Sequence, residues 1–231
     1  MPRLVDRIRA AAFDLDGTLV DSAPDLAAAA NSMLRELGHE ALSQRRIESM
    51  IGDGIDHLVA RALAERLKSP PTSDLLATAG ASFRHHYGQR VFAQGRVYSG
   101  VVEGLRALAG RGIALFVVTN KASVFTRPLV AAAGLGDTFR LLLCADRPGD
   151  RKPSPNLLNA VRASIDARPD ELLYVGDSLV DVETARAAGC PVALVDYGYN
   201  RGRPLDEESA DWLIGSLAEI VALPDRRAIT C

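Results

Sequence analysis

"AAAFDLDGTLVDS" (residues 10–22) sets an apolar run directly against three carboxylates, Asp14, Asp16 and Asp21. The run "IRAAAF" (8–13) has the length and apolar content of a strand buried on both faces. Carboxylates crowded at the end of such a strand repel one another. In a partly dry site each is costly unless a cation neutralises it. What that cation is depends on what the rest of the chain brings to the same place.

Four further apolar runs follow: "IALFVV" (113–118), "LLLC" (141–144), "ELLYV" (171–175) and "PVALV" (191–195). Helical patterns of about ten residues or more lie between them, the arrangement of βαβ units in a parallel sheet covered on both faces. Crossovers in such a sheet are right-handed. Residues 21–95 read differently. Leu26, Ala30, Met33, Leu34 and Leu37 recur at helical spacing, with Pro24 near the start and Gly38 at the stop. Ile55, Leu58, Val59, Ala62, Leu63 and Leu67 mark a second amphipathic helix. After the break "KSPPTSD" (68–74), Thr72 or Ser73 caps a third helix running through Phe83 and Tyr87. The expected fold is α/β, a Rossmann-like parallel sheet core flanked by helices, formed by residues 1–20 and 96–231. An all-helical unit, residues 21–95, is inserted into it. The tail "PDRRAITC" (224–231) is expected to fray.

Composition narrows the partners. The 231 residues are 48% hydrophobic and 24% charged, with a net charge of -2 and no basic run. Nucleic acid and anionic membrane surfaces are therefore not expected partners. The first 13 residues hold no uninterrupted apolar core of signal-peptide length, and no run approaches a membrane span. Cys144, Cys190 and Cys231 are odd in number and show neither metal spacing nor a disulfide framework, so a reducing cytoplasm is the expected compartment.

Ligands of parallel α/β sheets bind at the carboxyl ends of the strands. Asp14 and Asp16 follow the first run, and Thr119, Asn120 and Lys121 follow the second. Arg151, Lys152 and Pro153 lie in the loop after the third, and "GDSLVD" (176–181), with Asp177 and Asp181, follows the fourth. Asp14, Asp16 and Asp177 offer hard oxygen ligands of the kind Mg²⁺ takes when it shares a phosphate. Thr119 supplies a hydroxyl before a helix whose first N–H groups suit an anion. Lys152 supplies a positive point charge. The set fits a phosphate and its metal, which answers the crowding of carboxylates in the opening stretch. Plainer readings exist for single members. Asp-Gly after a strand is a common turn. An EF-hand loop starting at Asp14 fails, because its sixth position is Leu19 rather than glycine. Ser178 and Asp181 have capping-box spacing, which is compatible with a supporting role for Asp181 behind the metal ligands. His39, His57, His85 and His86 all fall in the helical insert without metal spacing and read as surface residues.

These residues resemble the haloacid dehalogenase superfamily. Its four motifs correspond to "DLDGT" (14–18), "VVTN" (117–120), "RKPSP" (151–155) and "GDSLVD" (176–181), in order, and the resemblance spans roughly residues 8–223. The insert resembles the α-helical cap of one large subgroup. Within the superfamily the chain is most similar to the phosphoglycolate phosphatases, on "MIGDGIDHLVARAL" (50–63), "YSGVVEGLRALAGRGIALFVVTNK" (98–121) and "AGCPVALVDYGYN" (188–200). Asp16 separates the chain from the dehalogenases, and "GDGIDHL" (52–58) lacks the Schiff-base lysine of the phosphonoacetaldehyde hydrolases.

The resemblance implies a Mg²⁺-dependent phosphomonoesterase acting on a small phosphorylated metabolite, with 2-phosphoglycolate as the expected substrate. It implies Asp14 as nucleophile and Asp16 as acid/base. Asp14, Asp16 through its backbone carbonyl, and Asp177 would be the metal ligands, with Asp181 behind them. Phosphate binding falls to Gly17, Thr119, Asn120 and Lys152. Arg61 is either a donor to the substrate's carboxylate or a solvated helix residue, the backbone at 52–55 being the other candidate for that carboxylate. Hinges are expected near Gly17–Asp21 and Gly88–Val97, and the chain is expected to be a monomer or homodimer. A sugar phosphomutase, a phosphatase for another small metabolite and a non-catalytic phosphate-binding protein remain as alternatives.

Overall fold

The computed structural model describes residues 2–200, 205 and 209–225. In chain order, β1 (Ala10–Phe13), β2 (Val20–Asp21), α1 (Ala23–Glu36), α2 (Gln44–Glu48), α3 (Ile55–Ala64), α4 (Ser73–Gly88) and β3 (Arg96–Val97) come first. They are followed by α5 (Val101–Ala109), β4 (Ala114–Thr119), α6 (Ser123–Ala132), β5 (Leu141–Cys144) and α7 (Asn156–Ile165). The chain continues with β6 (Leu172–Gly176), α8 (Leu179–Ala188), β7 (Val192–Val195) and β8 (Trp212–Ile214).

Six strands form one parallel sheet in the order β5-β4-β1-β6-β7-β8. The chain builds outward from β1 on one side, then crosses to the other, which is the doubly wound Rossmann pattern. The crevice where the order reverses lies at the end of β1, directly beside Asp14. Period-two alternation explains why β1 is apolar throughout. Ala11 and Phe13 pack into the cluster on one face, and Ala10 and Ala12 into the cluster on the other. The register sets Phe13, the last residue of β1, opposite Val117 on β4 and Val175 on β6, so the three strands end within two residues of one another. The expected strands are all present. β8 was not anticipated: it is three residues long, and at that length an apolar run carries no periodic signal.

Helices α1, α3 and α4 pack around a separate apolar cluster that includes Leu26, Met33, Leu58, Leu63, Phe83 and Tyr87. Their spacing matched the expected helices, and Thr72 caps α4 by accepting the Leu75 amide at 3.3 Å. The short helix α2, capped by Ser43, was not anticipated. The two chain segments joining this unit to the sheet are tied to each other. β2 and β3 pair antiparallel as a small ribbon, so the helical stretch begins after Asp21 rather than at it. One turn further, the buried Asp25 carboxylate accepts the amides of Gln94 and Gly95, each at 2.9 Å.

The expected fraying needs correction for residues 224 and 225. Pro224 bridges to Arg3, the Asp225 amide donates to the Pro2 carbonyl at 3.0 Å, and Asp225 is paired with Arg7 at 2.8 Å. Backbone pairing and a half-buried ion pair hold this segment against the start of the chain. Residues 226–231 lie outside the described residues. Among the described residues no helix is long and apolar enough to cross a membrane.

Candidate active site

The end of β1 carries Asp14, and the turn after it brings Asp16 back over the strand. The Gly17 amide donates to the Val20 carbonyl at 2.9 Å, closing that turn. Gly17 has φ of 90°, and a Cβ there would collide with the Asp177 carboxylate. Glycine is thus required twice over, for the backbone and for the approach of the first and fourth motifs. Phosphate binding was expected of Gly17. Its amide is used within the turn, and the contribution seen is space.

Asp14, Asp177 and Asp181 present oxygens within 4.8 Å of one another, all buried. Lys152 threads between two of them, 2.9 Å from Asp14 Oδ2 and 2.7 Å from Asp181 Oδ1. One ammonium does not balance three carboxylates. Burial pushes the Asp14 carboxyl above its usual range, against the pull of Lys152 and with a further push from Asp181. Burial, then the charges of Asp181 and Asp14, raise Asp177 as well. Asp14 Oδ1 is buried without a hydrogen-bond partner. An orphaned carboxylate oxygen in a cluster short of positive charge is what a divalent cation satisfies.

The three carboxylates are not equivalent. Both oxygens of Asp181 are fully engaged. Oδ1 faces Lys152 and the Tyr174 hydroxyl, and Oδ2 accepts the amides of Asp177 and Ser178 and the Ser178 hydroxyl. The capping and supporting roles expected of Asp181 therefore coexist. Asp177 accepts the Thr18 hydroxyl on Oδ1 at 3.1 Å, and the Tyr199 and Asn200 amides on Oδ2 at 2.8 and 3.4 Å. That leaves lone pairs for a metal on Asp14 and Asp177. The Asp16 side chain stands apart from this cluster. It accepts from the Ser22 hydroxyl and from Lys121 Nζ at 2.9 and 3.0 Å.

Asp14, Asp16, Thr119, Asn120 and Lys121 line a cavity of about 40 Å³, closed from the helical side by Leu26, Ile51, Ile55 and Leu58 and the backbone at Gly52 and Gly54. Thr119 accepts the Lys121 amide at 3.2 Å, so its own O–H proton stays available. The Asn120 side chain is engaged elsewhere. Its Oδ1 accepts the Lys152 amide at 2.8 Å, and its Nδ2 donates to the Gly52 carbonyl at 3.0 Å. It fixes the Lys152 loop and meets the helical unit. Arg151 does the same from beside it, donating to the Asp53 carbonyl at 2.7 Å.

Arg61 is not brought to the cavity. Its guanidinium pairs with Asp53 at 2.5 Å and donates to the Met50 carbonyl at 3.1 Å, bracing the loop before α3. An acidic residue eight positions earlier captures it first. Lys121 follows β4 directly, but its place in the sequence implies no role. It is buried, paired with Asp16 and 4.8 Å from the centre of the Tyr87 ring. Burial is the largest influence on Lys121 and lowers its pKa, but the Asp16 charge, the Tyr87 phenol and its hydrogen bonds to both together reverse that and hold Lys121 above its ordinary value. Tyr199 was also missed as a site residue. Its hydroxyl accepts the Ser22 and Ala23 amides at 2.8 and 2.9 Å and donates to Asp21 at 2.9 Å. It satisfies orphan N–H groups at the start of α1 from across the molecule.

Comparison with known proteins agrees with this geometry. The model of the haloacid dehalogenase-like hydrolase family matches residues 11–195. A phosphoglycolate phosphatase of Thiobacillus denitrificans is 47% identical over 212 residues, covering 92% of this chain and 93% of the relative. One from Nitrosospira multiformis is 45% identical over 216 residues, with 94% and 95% covered. The crystal structure described as a predicted phosphoglycolate phosphatase from Haemophilus somnus superposes with a TM-score of 0.88 at 34% identity, covering 94% of this chain and 97% of that one. This chain belongs to the haloacid dehalogenase-like hydrolase family, and it is a phosphatase of that family.

Proposed function

We propose that the enzyme hydrolyses 2-phosphoglycolate to glycolate and phosphate through a phosphorylated Asp14, with Mg²⁺ as its metal. The reading is carried by one cavity, at the switch point of the sheet, that Asp14, Asp16 and Thr119 line together. The substrate is suggested by the names of the relatives reported above. The apolar wall of Leu26, Ile51, Ile55 and Leu58 set across from the strand ends supports a small ester. Residues 21–95 act in this reading as a cap over the sheet, and the β2–β3 ribbon as its hinge region.

Asp14 attacks phosphorus in line, forming an acyl phosphate as the bond from phosphorus to the ester oxygen breaks. Asp16 gives its proton to the leaving alkoxide. It then takes one from the water that attacks the acyl phosphate, which releases phosphate and restores Asp14. Lys121 and the Ser22 hydroxyl orient the Asp16 carboxylate for both transfers. Thr119 donates to a non-bridging phosphate oxygen, and Lys152 offsets the negative charge that Asp14 and the phosphate bring together. Asp14 and Asp177, with the Asp16 carbonyl, would hold Mg²⁺, which when bound screens the phosphate from the attacking carboxylate. Asp181 holds Lys152 and the Asp177 loop in place.

Phosphate release from a panel of small esters tests this reading. Turnover should vanish with chelator and return with Mg²⁺, and 2-phosphoglycolate should lead glycerol phosphates, hexose phosphates and nucleotides in kcat/KM. A tenfold lead by a sugar phosphate or nucleotide would reject the substrate. An isomerised ester in place of free phosphate would reject hydrolysis.

A further inference from the structure

The walls of the cavity are unequal in charge. The helical side contributes the side chains of Leu26, Ile51, Ile55 and Leu58 and otherwise backbone. Among the described residues lining it, Lys121 is the one cation. The other cations nearby have been engaged by protein groups. Arg61 is on Asp53 and Met50, Arg151 donates to the Asp53 carbonyl, and Lys152 sits between Asp14 and Asp181.

A substrate with a second anionic group must find a partner for it here or leave it uncompensated against apolar walls, which is strongly unfavourable. In 2-phosphoglycolate the carboxylate is bonded to the same carbon as the ester oxygen. Whatever receives it must stand beside the group that protonates that oxygen. Lys121 does so, with its ammonium 2.9 Å from Asp16. The two Asp16 contacts, at 2.9 and 3.0 Å, use two of its three N–H donors, and the other group that bears on the ammonium is the neutral Tyr87 phenol, which brings no negative charge of its own. Its stem is buried and its head lies over the Tyr87 ring, so the charge is already desolvated and positioned before a ligand arrives.

We propose that Lys121 is the specificity-determining residue of this enzyme: it receives the substrate's carboxylate, and so selects phosphate esters carrying a carboxylate on the ester carbon. The inference rests on the 2-phosphoglycolate reading and supplies the recognition of the acid that Arg61 does not provide. It differs from a purely orienting role for Lys121. A residue that only holds Asp16 would slow every ester alike, whereas a carboxylate receptor separates esters by that group.

The test compares kcat/KM for 2-phosphoglycolate with that for ethyl phosphate, an ester of the same chain length without the carboxylate. It uses wild type, Lys121→Met and Lys121→Gln. The ratio of the two substrates on one preparation cancels differences in the active fraction. Wild type should prefer 2-phosphoglycolate by about ten- to a hundredfold, the usual worth of a hydrogen bond to a charged group, and both variants should fall to within about threefold of parity. Should the variants turn over neither ester, the same ratio is read from dissociation constants in an Asp14→Asn background, where turnover is not needed. A wild-type preference that survives in both variants overturns the role of Lys121 and leaves the substrate assignment standing. A wild type without the preference overturns the substrate assignment and the inference with it.

Discussion

On the sheet side of the cavity the charged groups form two bonded sets, Asp14, Asp177 and Asp181 around Lys152, and Asp16 paired with Lys121. On the helical side, Leu26, Ile51, Ile55 and Leu58 present apolar surface, and the charged Arg61 has been turned away to brace a loop. Charges that form and move in the reaction need fixed dipoles and ions, which the strand ends supply rigidly. Excluding water and large substrates needs shape, which an apolar helix face supplies. The two sides should therefore respond to mutation in different ways, one in rate and the other in selectivity and stability.

The sharpest separation comes from Asp14→Asn, which should lower kcat by at least ~10³-fold in steady-state phosphate release, as loss of a nucleophile commonly does. Asp16→Asn should cost roughly 10²–10⁴-fold, because both half-reactions lose their proton carrier. Near-normal turnover in either variant would erase the distinction between the two sides. Leu58→Ala, by contrast, should leave the rate on a small ester within about tenfold and improve relative activity on hexose phosphates. In denaturant unfolding it should cost about 2–4 kcal/mol, since Leu58 is fully packed in the helical cluster. A thousandfold loss of kcat there would mean that the helical side performs chemistry. The smallest effect is expected at Tyr199→Phe. It removes the phenol that accepts the Ser22 and Ala23 amides at the start of α1, and stability should fall by about 1 kcal/mol, as for a lost helix cap. Unchanged stability would mean that water replaces the phenol without loss.

The same contrast explains what could be read from the chain alone. The sheet side was legible because an apolar run fixes a strand, and a strand fixes where its next residues point. Asp14, Thr119 and Asp177 follow from that rule one by one. The helical side was legible as helices but not as a wall. Leu58 and Ile55 have the spacing of any amphipathic helix, and only tertiary packing decides what they face. Arg61 was misjudged as a possible substrate donor because its local partner, Asp53, lies in an irregular loop rather than at helical spacing. Lys121 is one of 27 basic residues, and nothing in its neighbours announces that its ammonium folds back onto Asp16. Tyr199 likewise acts through groups nearly the whole chain away. The short strand β8 and the helix α2 fall below the length at which periodicity says anything.

The central claim is that Asp14 carries the phosphoryl group. Mixing the enzyme with Mg²⁺ and 2-phosphoglycolate labelled in its phosphate, then quenching in acid within the first turnover, tests it most directly. The account predicts label bound as an acyl phosphate, released by hydroxylamine and mapped by mass spectrometry to Asp14, and its absence in Asp14→Asn. Label on another residue, or a first turnover that releases phosphate without the protein ever becoming labelled, would contradict it.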